Sequence, residues 1–322
     1  MYKVTNLTHH RIPGIPEPKE TRYQSEYPNN AGLLEYQKII SIEPTACEVK
    51  IILASRCETT GKEIWTVSAR YWRPIHGEVM THRMFSRNGS SSRAIPVMKF
   101  IKQVLNNPAG PIYWGSSQPK MQAGAEITGW RRAIAPWWWR SASLFAVAHS
   151  WFGAKVLGLH KQVVNRLTEP FQFMTLVITA TEWDNFFELR AHPDAQPELQ
   201  EVAYALRALM DEHRAAGKVQ VLKVGEWHLP FVRSDEMSLL LQTKVKLSTA
   251  RAARASYMNH DGTSPVVEKD VALHDNLVVS KPIHASPSEH QARAMADAEV
   301  ASGNLKGWAQ YRKYLEFGIP VE

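Results

Sequence analysis

Cysteine is scarce in this chain: among 322 residues only Cys47 and Cys57 occur, in neither a C-x-x-C pair nor a disulfide framework. Both read as small buried hydrophobes, and their scarcity points to a reducing compartment, so a cytoplasmic location is expected. No stretch reaches the apolar length that spans a bilayer. Met1 to Pro18, rich in proline, histidine and charge, lacks the apolar core of an export signal. A soluble, unexported protein without membrane attachment is the expectation. No G-x-G-x-x-G follows a strand and no G-x-x-x-x-G-K-[ST] occurs, so neither a Rossmann nor a P-loop phosphate site is indicated. No cysteine stands in a nucleophile setting. His9 and His10 are adjacent rather than helix-spaced and have no evident carboxylate or thiol partner, so no metal site is expected. Acidic residues are outnumbered, 31 against 38 Lys and Arg, for a formal charge of +7. That balance favours anionic partners, whether nucleotides, nucleic acid or a membrane surface.

What is present is a hydrophobic content of 44%, ample for a sizeable core in one large domain or two ordinary ones. Residues up to about Gly32 read as an arm on the body or on another subunit, and we place an N-terminal arm over 1–40 and one domain over 41–322. β-Branched and aromatic residues dominate Glu48 to Leu53 and Glu63 to Trp72, with Glu58-Thr59-Thr60-Gly61 as the turn of a hairpin. Pro74 opens a short helix with Ile75, Val79 and Met80 on one face, and Ala94 to Leu105 forms another. Pro111 to Ala123 is a Gly/Ser/Pro loop, either a lid or a connection. Trp130 to Leu159 is apolar, with Trp137-Trp138-Trp139 and Trp151 expected in the core or a subunit interface. A further helix starts at His160 and ends near Pro170. Met174 to Ala180 is an apolar run, and Leu199, Val202, Leu206 and Leu209 recur at helical spacing in a long helix closed by Gly217. The architecture expected is α+β: a single domain whose antiparallel or mixed sheet, built from the hairpin and C-terminal strands, is covered by long helices.

The densest chemistry lies in Thr81-His82-Arg83-Met84-Phe85-Ser86-Arg87-Asn88-Gly89-Ser90-Ser91-Ser92-Arg93. Three arginines, a histidine, an asparagine and four serines form an inventory for holding an anion. The bland alternative is a polar surface loop. Asn185 and Arg190, beside Phe186 and Phe187, either line a pocket or serve as a helix cap and a surface ion pair.

The run resembles the signature of flavin-dependent thymidylate synthases (the ThyX family), R-H-R, seven residues, S, one residue, R. His82, Arg83, Ser91 and Arg93 fall on its positions, and Thr81 replaces its first arginine. The stretch Asn185 to Gln196 resembles the family's Asn, Leu-Arg and Ala-Gln segment, although Asp194 stands where the family has a flavin-contacting histidine. Thr249 to Tyr257 and His284-Ala285-Ser286-Pro287-Ser288-Glu289-His290 resemble its A-R-V-S and H-x-[ST]-P-F-E-H segments. Those segments normally precede the arginine-rich signature and here follow it, so residues 245–315 match the usual N-terminal part of a circularly permuted member. On its own the last segment reads as a helix start with Ser286 as N-cap and Pro287 at N1.

The resemblance implies reductive methylation of deoxyuridylate (dUMP) to thymidylate through FAD, with methylenetetrahydrofolate and NADPH as co-substrates and a ThyX-like fold. It assigns dUMP to Glu78, Ser91, Ser92, Arg93, Arg166 and Arg190, with Arg190 also catalytic through charge on the uracil ring. It assigns FAD to His82, Arg83, Asn88, Asn185, Ser256, His284, Ser286 and Glu289. It implies a homotetramer with active sites between subunits, for which the Trp-rich segment is the candidate interface. Two alternatives stay open: a related one-carbon transfer such as hydroxymethylation, and, from another class, a basic, Trp-rich nucleic-acid-binding protein, although no specific nucleic acid is expected.

Overall fold

The computed structural model describes residues 19–28, 34–41, 47–255, 265–280 and 283–321. His9, His10 and Ser256 lie outside the described residues. In chain order the elements are β1 (Lys19–Pro28), β2 (Leu34–Ser41), β3 (Glu48–Cys57), β4 (Glu63–Trp72), α1 (His76–Val79), β5 (Ser86–Gly89), α2 (Val97–Asn106), α3 (Gly129–Lys155), α4 (Lys161–Val164), β6 (Phe173–Ala180), α5 (Asp184–Arg190) and α6 (Pro197–Ala215). They continue with β7 (Gln220–Leu222), β8 (Trp227–His228), α7 (Leu241–Ala253), α8 (Val267–Val279), β9 (Ala292–Ala294), β10 (Ala301–Ser302), β11 (Leu305–Lys306), β12 (Trp308–Gln310) and α9 (Tyr311–Phe317). The class is α+β, as the sequence indicates.

The expected hairpin forms from β3 and β4, and the apolar run after Phe171 becomes β6, antiparallel to β4 over its whole length. Strand order in the main sheet is β1-β2-β3-β4-β6-β5, and β7 adds to β3 in parallel, which makes the sheet mixed. Part of the stretch read as an arm is therefore strand, since β2 pairs with β3 through Ile40 and Ser41. One expectation is corrected: the C-terminal strands do not join this sheet. β8, β9 and β12 make a separate three-stranded sheet and β10–β11 a two-stranded one. These strands are short, and β7 already occupies the stretch of β3 from Ser55 to Cys57.

α6 covers the main sheet. Pro197 stands at its first turn, where the missing N–H costs nothing, and Leu199, Val202, Leu206 and Leu209 pack into one cluster with Val49, Val67, Leu176 and Phe186. Gly217 follows with φ +67°, the left-handed backbone a helix end favours. α2 starts at Val97 rather than Ala94, because Pro96 lacks an N–H and biases Ile95 away from helix. Met80 is exposed, since α1 lasts a single turn and buries only Val79.

α3 corrects the core reading of the tryptophans. Trp139 packs against Phe171 and Trp72, and Ser143, Val147, Ser150 and Gly153 line the buried face. Trp137 and Trp138 are 75% and 60% exposed, and Trp130, Phe145, Trp151 and Phe152 are exposed with them. The 3.6-residue period puts a second apolar stripe opposite the buried one.

A polar thread crosses the space between the main and the three-stranded sheet. The Ser55 hydroxyl bonds His228 Nδ1 (2.8 Å), His228 Nε2 bonds the Thr66 hydroxyl (2.8 Å), Thr66 bonds Thr179 (2.7 Å), and Thr179 bonds His290 Nδ1 (2.8 Å). All five residues are fully buried. Burial pushes His228 and His290 down to about 3, so both are neutral in the folded chain at pH 7. In the unfolded chain each takes up a proton as pH falls below about 6.5. The stability these depressed histidines contribute is thus complete above pH 6.5 and is lost as pH falls from there towards 3, by up to about 1.4 kcal/mol per pH unit for each. Urea unfolding at pH 7 and pH 5 should give a lower midpoint at pH 5. Replacing His290 by Gln should flatten that dependence.

Candidate active site

The short α1 turn, the loop after it and the end of α5 meet at one corner. Arg190, in the last turn of α5, donates from Nε to His82 Nε2 at 3.0 Å, from Nη1 to Glu78 Oε2 at 3.2 Å and from Nη2 to the Thr81 hydroxyl at 3.2 Å. Thr81 donates in turn to the Glu78 carbonyl at 2.7 Å. His82 is buried against Phe85 and Phe186. An imidazole nitrogen that accepts from a guanidinium carries no proton there, which fixes His82 as the neutral Nδ1–H tautomer. Burial, Arg190 and Arg87 together push His82 down to about 4, in agreement with that geometry. The result is an arginine held on three sides by a carboxylate, a neutral imidazole and a hydroxyl. Thr81, where the resembling signature has an arginine, belongs to the holder.

A second group lies where the 3-10 turn Asn165–Phe171 faces the serine run. The buried Ser92 hydroxyl donates to Glu169 Oε1 (2.7 Å) and Arg166 Nη1 to both Glu169 oxygens (2.9 and 3.2 Å). Asn165 Nδ2 donates to the Ser92 and Ile95 carbonyls at 2.7 and 3.0 Å, fixing the loop. Ser91 and Arg93 are exposed beside it, the Ser91 hydroxyl accepting the Arg93 N–H at 3.3 Å. Of the donors expected to hold a phosphate, Ser92 and Arg166 are thus brought together on one carboxylate of the chain, Glu169.

Two further arginines, to which the resemblance assigns no ligand, lie close to these groups. Arg73 donates to the Ser90 carbonyl (3.3 Å) and feels Glu169 and Arg166. Arg87 donates to the Met80 carbonyl (2.8 Å). Tyr71 hydrogen-bonds His76 Nδ1 at 2.8 Å, and burial together with Arg73 and Arg87 lowers the His76 imidazole. Burial raises the Tyr71 phenol. Arg87 was legible in the run by residue type. Arg73 carried no signal beyond its place before Pro74.

β5 brings the C-terminal segment to the same side. Asn88 Nδ2 donates to the Ala252 and Ala253 carbonyls at the end of α7 (2.6 and 3.1 Å), and Asn88 Oδ1 accepts from the Ser286 hydroxyl at 3.3 Å. Ser286 is inside the 3-10 turn Ser286–Glu289, whose N-cap is Ala285, so the N-cap reading of Ser286 is corrected: its hydroxyl turns to Asn88 instead of the helix backbone. Glu289 pairs with Arg312 Nη1 at 2.5 Å. Arg83, Asn185 and His284 are exposed, and Asn185 sits in the first turn of α5, at the other end from Arg190.

No family model matches the chain, and no curated protein matches it in sequence. Among solved structures, a UMP/dUMP methylase, PolB, from Streptomyces cacaoi bound with 5-Br UMP is similar over 55% of this chain and 97% of that chain, at 12% identity and a TM-score of 0.44. The same methylase bound with 5-Br dUMP gives 55%, 98%, 13% and 0.41. A flavin dependent thymidylate synthase, ThyX, from Helicobacter pylori, complexed with FAD and dUMP, is similar over 49% of this chain and 74% of that chain, at 14% identity and a TM-score of 0.33. Values this low leave the chain's own residues to carry any statement about chemistry.

Proposed function

We propose that the chain is a flavin-dependent enzyme that replaces the C5 hydrogen of deoxyuridylate with a one-carbon unit from methylenetetrahydrofolate, a methyl group in the first place, with NADPH as reductant. One observation carries the reading: the three separated motif segments converge. His82 and Arg190, 108 residues apart, are bonded, and Asn88 and Ser286, 198 residues apart, are bonded on the strand that follows. Such convergence is what a permuted member of the resembling family requires.

The donor set facing outward suits FAD. Arg83 has an exposed guanidinium with no hydrogen bond to another described residue, and His284 and the Ser286 hydroxyl are exposed near Asn88. These, with Asn185 and Glu289, are the residues that would hold the cofactor, which supplies hydride transfer when bound. Ser91, Ser92, Arg93 and Arg166 take the nucleotide phosphate, displacing Glu169, and Arg190 lies along the uracil. A neutral His82 orients the guanidinium without adding a second negative charge beside it, so the fork stays available to charge that develops on the ring. The exposed face of α3 is the docking surface for a second copy in the same reading. Its six exposed aromatic rings are of the kind that dominates the buried centre of protein interfaces.

Arg93→Ala and Arg166→Ala should each weaken deoxyuridylate binding by about 1.5–3 kcal/mol, the worth of a hydrogen bond to a charged group. Flavin content should change less. Calorimetric titration with deoxyuridylate checks this, and wild-type affinity in both variants would remove them from the site.

A further inference from the structure

In the two stretches that carry the serine run and the 3-10 turn facing it, residues 79–125 and 127–181, Glu169 is the sole acid. It stands on the donors themselves, taking the Ser92 hydroxyl at 2.7 Å and Arg166 Nη1 at 2.9 and 3.2 Å. The bland account is a surface ion pair three residues apart, since the Arg166 side chain is 58% exposed, and such pairs contribute little. That account leaves Ser92 unexplained. Ser92 is buried, yet its one donor goes to a charged group 77 residues away rather than to a nearby backbone carbonyl.

Buried neutral groups fix the backbone on both sides. Asn165 holds the Ser92 and Ile95 carbonyls, and the turn is closed from within: Gln172 Nε2 donates to the Asn165 carbonyl (3.1 Å) and to the Thr168 hydroxyl (2.8 Å), and Thr168 donates to the Asn165 carbonyl (3.2 Å). The frame therefore stands without the ion pair, and the half-buried Glu169 side chain is its movable part. Arg73 is tied to the same frame, its N–H on the Gln172 carbonyl (3.0 Å) and its Nη2 on the Ser90 carbonyl (3.3 Å), while its Nε is buried with no hydrogen-bond partner among the described residues. Burial lowers the Arg73 guanidinium and Glu169 raises it again, so this carboxylate is the counter-charge it feels. Arg166 makes no hydrogen bond through Nε or Nη2 to another described residue. The frame offers more donors than one carboxylate satisfies.

We propose that Glu169 is an internal anion: it occupies the phosphate seat of the free protein, keeps the donors assembled, and competes with the phosphate of the nucleotide. The inference rests on the deoxyuridylate reading above. A carboxylate tethered on the chain competes at an effective concentration on the order of millimolar. A phosphate monoester displaces it because it brings nearly two charges and three oxygens against one charge and two oxygens. Substrate and product carry the same phosphate, so the competition that weakens substrate binding also frees the product.

The test compares full-length wild type and Glu169→Gln, each with bound FAD, by calorimetry with deoxyuridylate, thymidylate, inorganic phosphate and deoxyuridine. The amide keeps the shape and an acceptor for Ser92 but loses the charge. Glu169→Gln should bind deoxyuridylate, thymidylate and inorganic phosphate each about tenfold more tightly, roughly the strength of one charge-assisted hydrogen bond no longer contested. Deoxyuridine, which has no phosphate, should stay within about twofold of wild type. Equal or weaker binding of the three phosphate ligands would overturn the proposal and make Glu169 a group that merely orients Arg166. Tightening of deoxyuridine by the same factor would overturn it too, since Glu169 would then act away from the phosphate. If Glu169→Gln does not fold, Glu169→Asp decides: its carboxylate is one methylene short of Ser92, so tighter deoxyuridylate binding supports the internal anion and wild-type affinity overturns it. A wild type that binds no deoxyuridylate, with inorganic phosphate still held about tenfold more tightly by Glu169→Gln, overturns the deoxyuridylate reading and leaves the internal anion standing.

Discussion

Arg190→Lys should lose about a hundredfold or more in kcat with flavin still bound, comparable to removing one preorganised oxyanion donor. The side chain satisfies three differently placed acceptors at once, His82 Nε2, Glu78 Oε2 and the Thr81 hydroxyl. Only a planar fork does that with one charge. A lysine ammonium keeps the charge but cannot reach all three, and it leaves His82 without its donor. If the guanidinium meets negative charge that appears on the uracil during reaction, its interaction is stronger in the transition state than with resting nucleotide. Turnover then falls more than affinity. Single-turnover reactions with deoxyuridylate and methylenetetrahydrofolate measure this. A Lys variant that turns over at the wild-type rate would return Arg190 to a structural ion-pair partner of Glu78.

Arg251→Met is expected to have the largest effect on stability. Arg251 is wholly buried in α7 and forms a fork with both Glu236 oxygens (2.6 and 2.6 Å), a bond from Nε to Asp270 Oδ2 (2.8 Å) and one to the Phe231 carbonyl (2.7 Å). That last bond holds a phenylalanine whose φ of +68° is strained for an aromatic residue. Methionine fills much of the volume but strands two buried carboxylates, a change that costs about 3–5 kcal/mol. Arg233 on Glu236 (3.0 Å) and Arg254 on Asp270 (2.7 Å) hold the loss to the lower end. Urea unfolding should register the loss as a lower midpoint at unchanged slope. A midpoint equal to wild type would mean that these two arginines suffice for the carboxylates.

Periodicity made the central fold legible. Alternating β-branched residues marked β3 and β4, and Leu199, Val202, Leu206 and Leu209 marked α6, because in each case one face meets the core. The same signal did not say which face of α3 is covered: Trp137 and Trp139 are equally apolar, but only Trp139 meets α2 and Phe171. The sequence up to about Gly32 reads as an arm because it is rich in proline, asparagine and charge, a composition that carries no signal for the strand Lys19–Pro28. At the site, Arg190, His82, Asn88 and Ser286 were visible through motifs. The contacts of Arg73, Thr81 and Glu198 were not, because they depend on tertiary neighbours rather than on local spacing. Glu198 in particular reads as an ordinary first-turn acid until its burial and its bond to Ile112 are known.

The most direct measurement of the central claim is loss of the C5 hydrogen from deoxyuridylate labelled at that position. The purified protein is supplied with FAD, methylenetetrahydrofolate and NADPH. Release of the label that requires both FAD and methylenetetrahydrofolate, and that collapses in Arg190→Lys, is the predicted result. The product's mass then separates methyl from hydroxymethyl. A protein that binds FAD and deoxyuridylate but releases no label, or one that shows no flavin absorption after reconstitution, would contradict the account.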